Sequence, residues 1–255
     1  MEKIKKAVIL AGGKGTRLSE QTKVTPKPLV KVDGKPIMER IMEHLASEGI
    51  TEFYILGGYL IECIYEYFYN DRIDDESTVC AKNMLSIISK NENLNGARIN
   101  IIDTGLNSGT AERMYKVKDL LKDEPFLMTY GDTYSDVDIS KIEEQLSGNR
   151  ILSLCAVPYI ERFGLVKIKN DNEVEEFKEK SESKIYFVNG GFICMKPEFL
   201  DYIKPEHFDL SKETLEQEEL KGKIGAYVYR GYWKAVDTQR DLDEINKDFK
   251  DGRVE

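Results

Sequence analysis

The chain has 255 residues, enough to bury a sizeable core without disulfide or metal staples. Its 37 Lys plus Arg stand against 46 Asp plus Glu, a formal charge of −9 that excludes a duplex-binding role built on phosphate neutralisation, so any basic surface must be local. Cys63, Cys80, Cys155 and Cys194 are scattered, with no C-x-x-C pair and no His at ligand spacing, so neither a zinc site nor a disulfide framework is expected. The longest apolar runs are strand-sized, with no signal-peptide pattern and no stretch of about 20 apolar residues. The expectation is a cytoplasmic protein with neither membrane nor nucleic acid as partner.

Apolar, β-rich runs at 6–11, 52–58, 99–103, 125–131 and 151–157 alternate with helical patterns, the rhythm of an α/β fold with a parallel sheet. Between the first two runs, Ile37, Ile41, Met42, Leu45 and Ala46 recur at helical spacing behind Pro36, a first-turn residue, and Gly49 stops the helix. A second helix near 59–69 presents Ile61, Ile64, Tyr65 and Phe68 on one face; a third, near 110–122, carries Met114, Val117, Leu120 and Leu121. Residues 70–98 break the rhythm with polar stretches around Met84, Leu85, Ile87 and Ile88. They read as an insertion, either a loose loop or an ordered arm that covers a site or a neighbouring subunit. Beyond residue 158, short strands over FGLVKIK, EVEEFKEK and KIYFVNGGFICM, helices near 197–204 and 211–221, and a final strand pair GAYVYR and GYWKAVD form a smaller β-rich lobe. A polar helix follows from Thr238. No Pro/Gly/Ser linker divides the chain, so 1–255 reads as a single domain with halves 1–157 and 158–255.

The first strand runs into Leu10-Ala11-Gly12-Gly13-Lys14-Gly15-Thr16-Arg17-Leu18, and a loop then holds Thr25-Pro26-Lys27-Pro28. Glycines let backbone N–H groups approach phosphate oxygens, and Arg and Lys add charge. The loop is not a dinucleotide fingerprint, which would need glycine at Leu18, and not a Walker loop, which needs GK followed by Ser or Thr. Asp132 follows the fourth strand at its carboxyl end, where α/β sheets bind ligands, and is a metal-ligand candidate. Asp138 is expected to cap a helix beginning near Ser140, with Asp136 in the loop. Asp237 supplies a second carboxylate at a strand-to-helix junction, where it or Thr238 could equally be an N-cap. Two carboxylates converging on one Mg²⁺ beside a glycine-rich loop suit a nucleoside triphosphate and phosphoryl or nucleotidyl transfer. Lys180 brings a cation to a second phosphate or lies on an exposed charged strand; His44 and His207 belong to no catalytic motif.

Taken together and in order, Gly12 to Leu18, Pro26-Lys27-Pro28, Gly131-Asp132, Glu179-Lys180, Asn189-Gly190-Gly191 and Asp237 resemble the signature set of the sugar-1-phosphate nucleotidylyltransferases. Within that superfamily the chain is similar to the glucose-1-phosphate cytidylyltransferases through Thr25 to Val30, Gly34 to Ile37, Asp103-Thr104-Gly105, Thr129 to Asp132, Arg162-Phe163-Gly164, Asn189 to Phe192 and Trp233 to Arg240. The resemblance implies a Rossmann-like, mostly parallel mixed sheet flanked by helices, with a smaller β-rich acceptor-binding lobe, as in other GT-A-like nucleotidyltransferases. It implies that a sugar-phosphate oxygen attacks the α-phosphorus of CTP in line, giving a CDP-sugar and pyrophosphate for cell-surface polysaccharide precursors.

By the same resemblance Arg17 and Lys27 contact the phosphates, and Asp132 and Asp237 hold Mg²⁺. Leu10, Ala11, Gly12, Gly13, Gly15, Thr16, Thr104 and Gly105 face the nucleotide; Glu179, Lys180, Asn189 and Gly190 face the acceptor. It also implies a homo-oligomer, with 70–98 as a contact. The departures gather on the acceptor side: Glu179-Lys180-Ser181 replaces the family's Glu-Lys-Pro, Ser108 to Arg113 replaces a Thr-Gly-Gly-Arg type of run, and the region between His207 and Gly225 is shortened. These keep a polyol phosphate such as glycerol phosphate as an alternative acceptor, and a non-catalytic nucleotide-sugar sensor as a third reading.

Overall fold

The computed structural model describes residues 3–18, 22–72, 79–81, 83–159, 165–170, 172–178 and 186–254. In chain order the strands are β1 (Lys6–Leu10), β2 (Lys31–Val32), β3 (Lys35–Pro36), β4 (Glu52–Gly57), β5 (Val79–Ala81), β6 (Met84–Ile88), β7 (Arg98–Asp103), β8 (Phe126–Tyr130), β9 (Thr133–Ser135), β10 (Leu152–Pro158), β11 (Leu165–Ile168), β12 (Val174–Lys178), β13 (Phe187–Met195), β14 (Ile224–Val228) and β15 (Trp233–Ala235). The α-helices are α1 (Ile37–Ser47), α2 (Ile61–Arg72), α3 (Thr110–Leu121), α4 (Ile139–Glu143) and α5 (Gln239–Lys250). Nine strands form one mixed, mostly parallel sheet in the order β14-β10-β13-β8-β1-β4-β7-β6-β5. Among them only β13 and β6 run against the rest.

The period-two alternation of β1 explains why helices flank both faces. Ala7 and Ile9 pack with Ile37, Ile41 and Leu45 of α1, Ile64 and Phe68 of α2, and Leu242 and Ile245 of α5. Val8 and Leu10 point the other way, to Met114, Val117 and Leu121 of α3 and to Phe199. Leu120, expected on that apolar face, is instead exposed, because the stripe is narrower than its sequence pattern suggests. Pro36 is the residue before α1 rather than its first turn. Gly49, at φ +102°, ends the helix as expected: its N–H donates to the Ala46 carbonyl and that of Ile50 to the Leu45 carbonyl, the paired bonds of a Schellman stop.

The 70–98 segment is an ordered arm over its described residues. Strand β6 adds to the sheet antiparallel to β7, β5 follows antiparallel to β6 at the edge, and the Asn91 side chain reaches Glu39 of α1 at 2.8 Å. The second half adds β13 and β14 to the same sheet, beside β10 from the end of the first half, so the parts of it set apart are the β11–β12 hairpin and the short strand β15. The expected final strand pair does not form: β14 pairs with β10, and β15 with β9. The helices expected near 197–204 and 211–221 are short 3-10 and π turns, Pro197–Tyr202, Leu210–Leu215 and Glu218–Leu220. Among the described residues no helix is long and apolar enough to cross a membrane.

Candidate active site

Strand β1 is flanked by β4 on one side and β8 on the other, so the chain order reverses beside it. The loops leaving the carboxyl ends of these strands diverge there and leave a crevice, the usual ligand position in an open α/β sheet. The crevice holds a cavity of about 380 Å³. Leu10, Ala11, Gly12, Gly13, Gly15, Thr16, Arg17, Lys27, Asp132 and Asp237 all line it, ten of the residues singled out from the sequence.

Each charged group is delivered by local structure. Pro26, extended at φ −62° and ψ 142°, and Pro28 frame a single 3-10 turn, Lys27–Leu29, that aims Lys27 inward. Gly131 lies against that turn; a Cβ there would come within 3.1 Å of the Pro28 ring. Strand β9 pairs antiparallel with β15, with Thr133 opposite Ala235. One step further, the Val236 N–H donates to the Asp132 carbonyl at 3.0 Å, which sets Asp237 beside Asp132 although 105 residues separate them. Thr238, not Asp237, caps α5 in a capping box with Asp241, and this leaves the Asp237 carboxylate for the cleft. Asp138 caps α4 through the Ser140 N–H as expected.

The Lys27 ammonium lies 2.5 Å from Asp132 Oδ2 and 2.7 Å from Asp237 Oδ1, and Arg17 reaches Asp237 Oδ2 at 2.8 Å. Burial alone would lower the Lys27 pKa, but the two carboxylates outweigh it and raise it. Burial likewise pushes Asp237 upward and is outweighed by Lys27 and Arg17, which hold its carboxyl below the ordinary value. The two cations differ in freedom: the Lys27 side chain is 11% exposed and that of Arg17 is 73% exposed. Two convergent carboxylates already gathered around a positive charge form a hard-oxygen donor pair, which fits Mg²⁺ completing its shell with phosphates. Among the described residues no cluster of three or more His, Cys, Asp or Glu side chains could hold a metal by protein ligands alone.

The glycine-rich wall is held from behind. Thr22 donates to the carbonyl of Gly15 at 2.9 Å, and Gly15 has φ +59°, a left-handed conformation suited to glycine. The Arg113 guanidinium, 3% exposed, donates to the carbonyls of Gly57 at 2.6 Å and Gly12 at 3.0 Å and to the Thr104 hydroxyl at 2.6 Å. A Cβ on Gly12 or Gly58 would collide with this group. Burial lowers the Arg113 pKa, with Glu112 and Asp103 acting against it.

Thr104 is therefore a strut behind the wall, 2% exposed and bonded to the Gly57 carbonyl, and does not line the cleft; neither does Gly105, whose N–H is held by Asp103 at 2.8 Å. Asn189 is exposed and accepts from the Gly191 N–H, while the Gly190 carbonyl accepts from the Trp233 indole at 2.7 Å. Neither lines the cavity, but the neighbouring Gly191 abuts Tyr130, which does. Glu179 and Lys180 lie outside the described residues. Arg113, Ser108, Gly109, Thr110, Tyr130, Phe208 and Asp209 also line the cleft and were not singled out as site residues. For Arg113 a signal exists: it falls in the stripe of Met114, Val117 and Leu121, and a charged residue in a buried stripe must find partners.

The family described as nucleotidyl transferase matches residues 6–252. The chain is 37% identical over 240 residues to the glucose-1-phosphate cytidylyltransferase of Salmonella typhimurium, covering 92% of each. It is 34% identical over 256 residues to the probable glucose-1-phosphate cytidylyltransferase of Bacillus subtilis, covering 97% of each. The structure of HddC from Yersinia pseudotuberculosis in complex with GMP-PN shares the fold, with a TM-score of 0.68 at 23% identity over 96% of this chain and 100% of that one. The chain belongs to the nucleotidyl transferase family and is a nucleotidyltransferase.

Proposed function

We propose that the protein is a magnesium-dependent cytidylyltransferase that joins CTP and glucose 1-phosphate to give CDP-glucose and pyrophosphate, supplying a precursor for cell-surface polysaccharide. The observation that carries this reading is the joining of Lys27, Asp132, Asp237 and Arg17 in one bonded cluster beside the Gly12–Gly13 loop. The curated relatives named above supply the choice of cytidylyl and glucosyl partners.

In this reading the backbone of Leu10 to Gly13 and the turn through Gly15 and Thr16 cradle the triphosphate, while Lys27 contacts the phosphates around the reacting phosphorus. A phosphate oxygen of the acceptor bonds to the α-phosphorus; the bridging oxygen between α- and β-phosphorus departs with its electron pair on pyrophosphate. Arg17, exposed and held by a single carboxylate, is free to follow the β- and γ-phosphates as they leave. Asp132 and Asp237 would hold Mg²⁺, which when bound supplies charge neutralisation and alignment of the triphosphate. No protein nucleophile is required, since transfer of this kind rests on positioning and electrostatics. Lys180 is assigned to the acceptor phosphate and Glu179 and Asn189 to its hydroxyls. The chain is taken as one cytoplasmic domain that assembles as a homo-oligomer.

The test is pyrophosphate release with Mg²⁺, offering CTP, UTP, dTTP, GTP and ATP against glucose 1-phosphate, other hexose 1-phosphates and glycerol phosphates. Release with CTP and glucose 1-phosphate is expected. Release with CTP and only a polyol phosphate would overturn the acceptor, and none with any pair would overturn catalysis.

A further inference from the structure

Phe208 combines two properties that seldom coincide. Its side chain is 56% exposed, and its backbone is fastened on both sides. The Phe208 carbonyl accepts from the Ala111 N–H at 3.0 Å, the Leu210 N–H donates to the Thr110 hydroxyl at 2.8 Å, and the Asp209 N–H donates to Glu213 Oε2 at 2.6 Å. The ring packs so closely over Gly109 that a Cβ there would stand 2.6 Å from the Phe208 Cγ and 2.1 Å from its carbonyl oxygen. Position 109 is thus open to glycine alone, and the outcome is an aromatic ring held in the lining of the cleft.

A loop aromatic without a role would either bury its ring or swing freely. Here the chain spends bonds from the amino end of α3 to keep the ring in place while leaving most of it open. The charged cluster of Lys27, Arg17, Asp132 and Asp237 takes the phosphates, and Phe208 makes none of its contacts there. The part of a nucleotide left for its wall of the cleft is flat and weakly polar. Every nucleobase has a π-face, and a fixed aromatic surface binds it without prior ordering cost.

We propose that Phe208 is the stacking platform for the base of the nucleoside triphosphate, a binding residue that sets donor affinity without choosing the base. The proposal rests on the nucleotidyltransferase reading of the cleft. It adds that the segment around Phe208, between the helices expected near 197–204 and 211–221, closes the nucleotide half of the site.

The experiment compares the native protein with Phe208→Leu, Phe208→Ala and Phe208→Tyr, using whichever of the five triphosphates the native chain turns over fastest. It reads kcat, KM for each substrate, Kd for the triphosphate by calorimetry, and Tm. Leu and Ala are expected to raise both donor KM and donor Kd about tenfold, with acceptor KM unchanged; Tyr keeps the native values. Because the ring is exposed, Tm should stay close to native in Leu and Tyr. Unchanged donor Kd in Phe208→Leu, or a rise confined to acceptor KM, overturns the proposal even with a fully active native enzyme. A native protein that binds and turns over none of the triphosphates overturns the underlying reading instead, and the platform with it.

Discussion

The floor of the cleft and its glycine wall are built by opposite means. The floor is made of charged side chains, Lys27, Asp132, Asp237 and Arg17, brought from three distant segments and bonded to one another at 2.5 to 2.8 Å. The wall is made of backbone, and the charge buried behind it, Arg113, is turned to the carbonyls of Gly12 and Gly57. In the proposed reading the floor exchanges partners when a triphosphate and a divalent cation enter, because each bond in it is between opposite charges. The wall cannot exchange without leaving buried carbonyls unpaired, a loss of about 1–3 kcal/mol. In that reading one region reacts and the other stays still.

The largest way to break this contrast is Lys27→Met. It removes the cation between two carboxylates, so kcat should fall by about 10³-fold, the scale of losing one preorganised charge donor. Folding should survive, since Asp132 and Asp237 are 30% and 43% exposed and can be hydrated. Pyrophosphate release and a urea melt check the two halves. Arg17→Ala comes next, with a loss of about 10²-fold and no change in the melt, because the side chain is 73% exposed. Equal turnover by this variant would remove Arg17 from the phosphates.

Arg113→Lys tests the wall. An ammonium cannot span the three acceptors that the planar guanidinium reaches, so one of the carbonyls or the Thr104 hydroxyl is left without its donor. Tm should drop by several degrees, and donor KM should rise about tenfold as the loop loosens, with kcat at saturation less affected. A variant with native Tm and lowered kcat would mean that Arg113 meets the reacting phosphates directly.

What the sequence made legible follows the range of the forces involved. The alternation of β1, the periodic face of α1, the Gly49 stop and the cap at Asp138 are local and readable, while at the start of α5 the sequence leaves Asp237 and Thr238 as equal candidates for the cap. Asp132 and Asp237 were readable as carboxylates at strand ends, but their adjacency depends on the pairing of β9 with β15, two three-residue strands about 100 residues apart. Pairing of that kind leaves no trace in local pattern, and for the same reason β14 and β15 were wrongly expected to pair with each other. The burial of Thr104 is not legible, because a hydroxyl beside a glycine turn looks alike whether it faces the cleft or the arginine behind it. Phe208, between the helices expected near 197–204 and 211–221, carries no signal in the sequence, since only the close fit on Gly109 distinguishes it from any surface aromatic.

The smallest effect concerns the junction that carries Asp237. Glu244 of α5 accepts from Lys234 of β15 and from Arg240 Nε at 2.8 Å, and these cations lower its pKa to about 2. In the unfolded chain the same carboxyl titrates in the usual range, near 4.3. As the pH falls from that range toward 2, the unfolded state takes up the proton first, so the stabilisation from Glu244 is complete above the range and is lost through that window. The pair is 40% exposed on the glutamate side, and solvent screening keeps its worth below about 1 kcal/mol. Glu244→Gln should therefore be slightly less stable than native at pH 7 in urea melts, and the gap should close as the pH approaches 2 and as salt is added. Activity at pH 7 should be native, because Asp237 is also held by the Val236–Asp132 backbone bond and by Lys27. A gap that widened on acidification would show that the carboxyl is bound in its protonated form, and that α5 is fastened to β15 by something other than this pair of charges.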